Sequence, residues 1–566
     1  MPFATGTVTV TGGTASCTVT LNDIGMGVCN LPSPFSKAGT YTVTASYPGD
    51  ANYAPMNTSA SVTVIDGGDV CSGSNTDSQS LTDFNNNETR SDAPTTSSCG
   101  DGTGMCAVTT TLPLVSLRLF DTPVGYTPPV GYDVHTTLTY NQREASQPAS
   151  MDYSNIGPQW STSWVGYIQD DPTQPGVSVR RIAAGGGAYD YSGYNSADGT
   201  FAREILTPVQ LVLTSQNPVT YERRFQDGSK EVYAASNGAT AAPRRVFLSR
   251  MVDPYGNTLT LNYDASLRLT SVQDAIGQST VFTYGNTANT WLITAITDPF
   301  GRKAQLAYDG QGRLSSITDA VGITSSFDYS GTGTDITALH TPYGTTSFAA
   351  TTTSTSRSLA ITDPLGHVSR TEFNASVTLP DDPPPNASWA DGNQGYRNTF
   401  YWDGEANARA PGDYTQAHIQ HWLSSGTSNP VVTSSLESEK QPLETRQWYL
   451  RDGQTSSNFL SGAQRDAPNQ IARLLPDGNA QLTQIAYTDS GNPTQSIDPL
   501  NRQVQASYDS TGTDITAAQR KTATGADTLA QYTYGAVPHR PVTYTDAAGQ
   551  VWHMSYNPQG QLLTAT

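Results

Sequence analysis

Asp253-Pro-Tyr-Gly256, followed by Tyr263-Asp264, is the first of four tandem copies of one phrase. The other copies read Asp274-Ala-Ile-Gly277 with Tyr284-Gly285, Asp298-Pro-Phe-Gly301 with Tyr308-Asp309, and Asp319-Ala-Val-Gly322 with Tyr329-Ser330. Successive aspartates are 21 or 24 residues apart, and the tyrosines keep the same spacing. A fixed period of this size predicts a repeat architecture in which each unit packs on its neighbours.

Each copy predicts a β-hairpin. Asp-Pro-x-Gly suits a type I turn, because Asp accepts backbone hydrogen bonds, Pro fixes φ and Gly closes the turn. The next strand alternates, with Leu259, Leu261 and Tyr263 on one face. Because one hairpin is unstable alone, we expect the units to stack edge to edge as a long antiparallel sheet. The tyrosines should then form a ladder, each hydroxyl bonded to the backbone.

The phrase returns after gaps. The later copies are Asp363-Pro-Leu-Gly366, Asp477-Gly478 to Tyr487, Asp498-Pro-Leu-Asn501 to Tyr508-Asp509, and Asp546-Ala-Ala-Gly549 to Tyr556-Asn557. A sheet built from repeats normally needs a capping unit over its last edge, and no such unit follows the last copy. The sequence is therefore expected to be a fragment of a longer array.

These residues resemble the YD-repeat, or RHS, family, which is named for pairs such as Tyr263-Asp264, Tyr308-Asp309 and Tyr508-Asp509. Gly312-Arg313-Leu314 and the upstream Thr139-Tyr140-Asn141-Gln142-Arg143 also resemble it. The resemblance implies a hollow β-walled shell, similar to the cocoon of insecticidal Tc toxin B/C subunits and to teneurins. Such shells commonly hold a variable C-terminal toxin. The toxin and the closing core segment, which is sometimes self-cleaving, are not in this sequence, so neither activity is expected of it.

A separate module precedes the repeats. Alternating residues such as Tyr41 to Tyr47 predict strands, and the phrase from Tyr47 to Tyr53 resembles bacterial Ig-like domains of surface adhesins. Such modules usually act as stalk spacers. Cys17 and Cys29 lie inside this module and are a candidate disulfide that bridges adjacent strands. All five cysteines precede residue 107, which favours disulfides in an exported stalk, and the pairing of Cys71, Cys99 and Cys106 stays open.

We therefore expect an all-β chain, in which an Ig-like β-sandwich is followed by an antiparallel YD-repeat sheet that winds as a partial shell. The expected divisions are the Ig-like domain at 5–66, a flexible Ser/Thr/Asn-rich linker at 67–106, an RHS N-terminal β region at 107–250, YD repeats at 251–379, an aromatic-rich insertion at 380–475 and truncated YD repeats at 476–566. Helix is expected mainly between residues 380 and 475.

Composition restricts the function classes. The net charge of −19 leaves no basic footprint for nucleic acid or anionic lipid, and it favours an acidic surface that aids solubility. The sequence contains no run of 18 apolar residues, so it predicts no membrane span. No signal peptide is visible at Met1, so the export route cannot be assigned from the sequence.

Candidate catalytic features are few. His418 and His421 form His-x-x-His within Tyr414 to Trp422, a stretch that can be helical, but two histidines without a third ligand are a weak metal signal. Asp381-Asp382 and the Gly185-Gly186-Gly187 run fit loops and turns better than a catalytic pair or a phosphate site. The sequence predicts no enzyme, no cofactor and no metal site.

Residues 380–475 contain four of the eight tryptophans, Trp389, Trp402, Trp422 and Trp448. Clustered aromatics favour a small core, and the alternative is a carbohydrate platform of exposed indoles.

The sequence as a whole leads to two alternative functions. The first is a structural shell segment of a secreted or cell-surface protein that encloses and delivers a C-terminal toxin. The second is an Ig-stalked adhesin that binds surface glycans or a target-cell receptor.

The stretch from Asp66 to Gly104 is rich in Ser, Thr, Asn and Asp and buries little apolar surface. We predict that limited proteolysis cuts there first and releases the Ig-like module intact. Mass spectrometry of the fragments locates the first cuts. Equal resistance along the whole chain would contradict separate domains.

Overall fold

The computed structural model describes the chain in segments: 5–12, 15–21, 39–50, 53–64, 106–112, 115–204, 209–374, 377, 385, 395–425, 431–454 and 466–566. The chain divides into two compact units, residues 1–75 and residues 76–566. The fold is almost entirely β, as the sequence predicts. None of the helices within the described segments is long and apolar enough to cross a membrane.

The first unit contains a four-stranded antiparallel sheet of order β2-β1-β3-β4. Its strands are β1 (Thr7–Gly12), β2 (Ala15–Thr20), β3 (Gly39–Tyr47) and β4 (Met56–Val64). The ring of Tyr47 is buried, and its hydroxyl donates to the Thr5 carbonyl over 2.8 Å. Asp50 accepts from the backbone N–H of Tyr53, which ties the turn after β3. Cys17 is disulfide-bonded.

The Cys17–Cys29 pairing stays a prediction because Cys29 lies outside the described residues, as do Cys71, Cys99 and nearly all of the expected linker. Cys106, at the linker's end, is a free, buried thiol.

The second unit begins with a small antiparallel sheet of order β5-β6-β7-β8. Its strands are β5 (Ala107–Thr111), β6 (Ser116–Tyr126), β7 (Val134–Asn141) and β8 (Trp160–Thr162). Leu119, Leu138 and Trp160 from these strands share one hydrophobic core with residues of the repeat region. The small sheet therefore packs on the repeats.

A second group of strands leads into the repeats. These are β9 (Tyr167–Asp170), β10 (Val179–Ile182), β11 (Ala188–Tyr191), β12 (Gln210–Gln216), β13 (Val219–Arg224), β14 (Lys230–Ser236) and β15 (Arg244–Val252). Strand β15 is a branch point. Its first half pairs with β9 and its last three residues pair with β16 (Thr258–Tyr263), while β14 covers its other edge.

From β16 onward each strand pairs antiparallel with the next, as the tandem hairpins of the sequence predict. The strands are β17 (Leu269–Gln273), β18 (Ser279–Thr283), β19 (Ala295–Thr297), β20 (Lys303–Tyr308), β21 (Leu314–Thr318), β22 (Thr324–Tyr329), β23 (Ile336–Thr341), β24 (Gly344–Thr352), β25 (Ser356–Thr362) and β26 (Val368–Asn374).

The sheet continues through the interval where the sequence phrase is absent. Its strands there are β27 (Asn398–Trp402), β28 (His418–Ser425), β29 (Val431–Lys440), β30 (Gln447–Leu450) and β31 (Gln470–Leu474). One short helix, α1 (Gly404–Arg409), and a 3-10 turn (Tyr414–Gln416) interrupt them. The expectation of a helix over Tyr414 to Trp422 was wrong, because pairing of β28 with both β27 and β29 makes His418 to Trp422 extended.

The last strands repeat the hairpin pattern. They are β32 (Ala480–Tyr487), β33 (Pro493–Ile497), β34 (Gln503–Tyr508), β35 (Ile515–Thr522), β36 (Gly525–Tyr534), β37 (Pro541–Asp546), β38 (Val551–Tyr556) and β39 (Leu562–Ala565).

The repeat turns have the geometry that Asp-x-x-Gly predicts. The Gly301 N–H donates to the Asp298 carbonyl over 3.1 Å, and Asp298 Oδ1 accepts from the backbone N–H groups of Phe300 and Arg302, both at 2.9 Å. The glycines Gly256, Gly277, Gly301 and Gly322 all have φ between +82° and +91°. Only a residue that tolerates the left-handed region fits this position, and Asn501 fills it in a later copy with φ of +59°.

We predict that Gly301→Ala lowers the free energy of unfolding by about 1 kcal/mol, because φ is left-handed there. A Cβ at this position meets nothing within 4 Å, so no steric clash adds to the cost. Gly301→Asn is the matched variant and should cost less, since Asn adopts the same region more easily. Urea unfolding measures both. Equal losses would show that backbone conformation does not select the glycine.

Candidate functional site: the tyrosine-bearing face of the repeat sheet

A row of tyrosine hydroxyls joins successive strands near one edge of the sheet. Each donates to the backbone carbonyl 15 residues earlier: Tyr263 to Leu248, Tyr284 to Leu269, Tyr308 to Ile293, Tyr329 to Leu314 and Tyr508 to Pro493, over 2.5–2.8 Å. Burial raises the pKa of Tyr308 well above its ordinary value, so the hydroxyl stays a donor. The expected backbone partners are therefore present. The expected ladder of stacked rings is not seen among these tyrosines, because each bonds to the strand before it.

At two positions of the row, Tyr284 and Tyr329, an arginine connects the tyrosine to the neighbouring turn. Arg313 Nε donates to Asp309 Oδ2 over 2.7 Å, and the guanidinium carbon lies 4.5 Å from the centre of the Tyr329 ring. Burial acts to raise the pKa of Asp309, but hydrogen bonds from the backbone and side chain of Arg313 outweigh it, and the pKa lies below its usual value. Arg268 repeats this arrangement with Asp264 and Tyr284. Turn, arginine and tyrosine thus form one connected unit.

The small sheet β5–β8 and the loop between β7 and β8 cover the tyrosine-bearing face over the first repeats. The Tyr284 hydroxyl lies 2.7 Å from Ser154 Oγ, and Trp160 Nε1 donates to the Tyr329 hydroxyl over 3.1 Å. The Tyr126 hydroxyl donates to the buried carboxylate of Asp274 over 3.0 Å. This part of the face is therefore the core of the unit.

The same face is uncovered over β32–β39, a stretch described without gaps. No hydrophobic side chain of these strands is buried. Tyr532, Tyr544 and Trp552 lie opposite one another on three neighbouring strands, with ring centres 5.3 Å apart and planes 27–28° apart. By strand alternation they share the face of Tyr534 and Tyr556. Trp552 is 37% exposed.

The end of the sheet returns to its beginning. Thr513 Oγ1 donates to the Gln226 carbonyl over 3.2 Å, and Gln561 Nε2 donates to the Pro129 carbonyl over 2.8 Å. Arg540 lies over the Tyr255 ring at 5.2 Å. We call the contacts of Thr513, His539, Arg540, Gly560 and Gln561 with Pro129, Gln226, Asp227 and Tyr255 the seam. The last turns of the sheet therefore contact residues near its beginning.

The two histidines singled out in the sequence do not share a site. They are three residues apart on strand β28, so their side chains point to opposite faces. His418 Nε2 lies 3.2 Å from Glu439 Oε2, and the fully buried His421 Nε2 lies 2.8 Å from Glu437 Oε2. Burial lowers the pKa of His421 despite that carboxylate. Within the described segments no cluster of three or more His, Cys, Asp or Glu residues can hold a metal ion.

The other candidates lie in structural positions. Gly185, Gly186 and Gly187 all have positive φ and form a turn, with the Gly187 N–H donating to Glu144. Asp381-Asp382 lies outside the described residues.

Cys106 has no nucleophilic environment. Its Sγ lies 3.7 Å from Asp121 Oδ2, and burial raises the pKa of the thiol well above its usual value. Burial also raises the pKa of Asp121 to about 7.

The clustered tryptophans are core residues. Trp402, Trp422 and Trp448 are at most 2% exposed, and Trp402 packs with Phe400 and Tyr414. Buried indoles offer no platform to a sugar ring, so the core interpretation holds for these three. Trp389 lies outside the described residues.

Comparisons with known proteins agree with the sequence motifs. Residues 1–65 match the model of a bacterial Ig-like domain (group 3), and residues 263–303 and 287–324 match that of the RHS repeat. The chain carries an Ig-like domain and RHS repeats. The tyrosines Tyr284, Tyr308 and the arginine–aspartate pair Arg313–Asp309 fall inside the matched RHS repeats. No curated protein matches the chain.

Solved structures similar to the chain include TcdB2-TccC3-TEV, at 9% identity and a TM-score of 0.29 over 80% of this chain. Another is the Photorhabdus luminescens Tc holotoxin pore, at 10% identity and a TM-score of 0.29 over 81%. The chain spans 24% of the length of each. With such low TM-scores we base no conclusion on this likeness. The RHS repeats of this chain form a structural sheet.

Sequence reasoning found the turns and tyrosines but missed the seam. Its hydrogen-bonded partners are separated by 287 to 432 positions and belong to ordinary turns. No spacing rule joins such residues, so only the winding of the sheet reveals them.

We predict that Tyr308→Ala lowers the free energy of unfolding of the repeat unit by about 3 kcal/mol, because the ring packs against the core. Tyr308→Phe keeps the ring and removes only the bond to Ile293, and should cost about 1 kcal/mol. Tyr343, which is 72% exposed, is the matched control, and Tyr343→Ala should change stability by less than about 0.5 kcal/mol.

Urea unfolding followed by circular dichroism measures the three variants, and the transition of the Ig-like module should stay unchanged. If Tyr308→Ala leaves the repeat transition where it is, the tyrosine row does not hold the strands together.

Proposed function

We propose that this chain is a wall segment of an RHS shell that encloses a polypeptide cargo, a C-terminal toxin of the full-length protein. The observation that carries the proposal is the winding of the sheet, whose last turns hydrogen-bond to its first through the seam. A sheet that returns to its own beginning surrounds a volume, whereas a flat sheet does not.

The two parts of the tyrosine-bearing face support this role. Over the first repeats the face is covered by the chain's own residues, such as Trp160. Over β32–β39 the face is open and carries Tyr532, Tyr544 and Trp552. An exposed aromatic patch of this kind is suited to contact an apolar polypeptide. We propose that the enclosed chain lies against it.

Export fits the same proposal. Cys17 is disulfide-bonded, and structural disulfides persist in oxidising compartments outside the cytosol. We propose that the protein is secreted or displayed at the cell surface, with the Ig-like domain as a spacer.

The alternative, a glycan-binding adhesin, needs aromatic faces open to sugars. Three clustered indoles are buried, and in the uncovered stack neighbouring rings face each other at 5.3 Å. The three buried indoles give a sugar ring no surface to stack on, which favours the shell.

We predict that a photo-crosslinker on the tyrosine-bearing face captures the cargo inside the intact full-length protein. Replacing Trp552 by p-benzoylphenylalanine should give an internal crosslink to the enclosed segment after illumination. Val551 is the adjacent control on the opposite face and is 48% exposed, so the same replacement there should give none. Mass spectrometry identifies the linked peptides.

Equal crosslinking from both positions, or none from either, would contradict enclosure on this face. A glycan array with the unsubstituted protein tests the alternative separately, and specific binding that Trp552→Ala abolishes would support the adhesin.

A further inference from the structure

His539 lies at the centre of the seam, in the turn between β36 and β37. Its Nδ1 is 2.7 Å from Asp514 Oδ1, in the turn between β34 and β35. Its Nε2 is 2.6 Å from the backbone carbonyl oxygen of Asp227, which is 312 residues earlier in the chain. The imidazole thus bridges the last turns of the sheet to the first.

The chemistry of the two partners fixes the protonation of the ring. A carbonyl oxygen only accepts hydrogen bonds, and so does an ionised carboxylate. Both ring nitrogens of His539 must therefore carry a proton for both contacts to be hydrogen bonds. A neutral imidazole has one N–H and can satisfy only one of the two partners.

We propose that His539 is a protonation-dependent latch, which holds the seam closed when the imidazole is charged and loosens it when the imidazole is neutral. The proposal concerns the chain's own conformation and does not depend on what the wall encloses. The other seam contacts, such as Gln561 to Pro129, involve no histidine.

The charged groups around the ring favour its protonated form. Asp514 faces it from the β34–β35 turn and Asp227 from the β13–β14 turn, whereas the adjacent Arg540 carries a positive charge that acts in the opposite direction. Burial acts to lower the pKa of His539, but the hydrogen bond and the charge of Asp514, together with the Asp227 contacts, outweigh it and raise the pKa.

The direction of the pH effect follows. A group whose pKa is higher in the folded state stabilises that state fully below its unfolded pKa, which is about 6.5 for histidine. This contribution is lost as the pH rises through the folded pKa of His539. The seam should therefore be tight in acid and loose in mild alkali.

Hydrogen exchange of the intact chain, followed by mass spectrometry, tests the latch between about pH 5 and pH 9. Protection factors, corrected for the intrinsic pH dependence of exchange, should fall in peptides that cover 226–229 and 511–541. The fall should approach tenfold per pH unit between the unfolded pKa of about 6.5 and the raised folded pKa, since one proton is released on opening there, and protection should level off above the folded pKa. Peptides from the tyrosine row at 263–329 should not change.

Three variants separate protonation from general destabilisation. Asp514→Asn should move the transition to lower pH, because it removes the charge that favours the imidazolium. His539→Gln should abolish the pH dependence. His340→Gln is the control, since His340 forms a similar contact of 2.8 Å with Asp328 away from the seam, and it should leave the seam profile unchanged.

Flat protection across this pH range in the unsubstituted protein would overturn the proposal. So would a His539→Gln protein that keeps the original profile. If that variant fails to fold, the direction of the Asp514→Asn shift decides the question.

Discussion

The repeat sheet depends on one repeated interaction, a turn carboxylate that accepts two backbone N–H bonds. In the turn at Asp298 these bonds come from the second and fourth residues that follow, and they leave the other oxygen for the Arg302 side chain. The carboxylate fixes where one strand ends and the next begins. Because the turns at Asp253, Asp274, Asp298 and Asp319 share this geometry, the tyrosines that follow them reach the same edge of the sheet. The row of hydrogen bonds from the tyrosine hydroxyls is therefore a consequence of the turn geometry.

These interactions are local, which is why the sequence alone predicts the turns and the tyrosine bonds. The turns of Asp253, Asp274 and Asp319 and the rings of Tyr263 and Tyr329 follow from patterns within 15 residues. The strand at His418 does not follow from such a local pattern, because its short polar and aromatic stretch fits a helix equally well. It is extended because the flanking strands β27 and β29 pair with it. The seam lay beyond reach for a stronger reason. Its geometry depends on the accumulated twist of all the intervening strands, which no local pattern records.

Burial along the tyrosine-bearing face is uneven, and the unevenness has a physical consequence. Over β16–β24 the face gains the hydrophobic contacts of β5–β8, so those repeats are stabilised by a large shared core. Over β32–β39 the strands are held by their ladders, by hydroxyl bonds such as Tyr508 to Pro493, and by the seam. The last part of the sheet is therefore the part whose stability depends most on contacts outside its own hairpins.

The open face and the seam meet on the same strands. The aromatic stack of Tyr532, Tyr544 and Trp552 spans β36–β38, and the latch residue His539 lies in the turn that joins the first two of these strands. A change in the protonation of His539 therefore acts on the strands that carry the uncovered aromatic rings. If the wall encloses a polypeptide, the contact that holds the cargo and the contact that closes the wall are joined by a single β-hairpin. Breaking either contact then alters the other one, and no structural change has to pass through the covered part of the sheet.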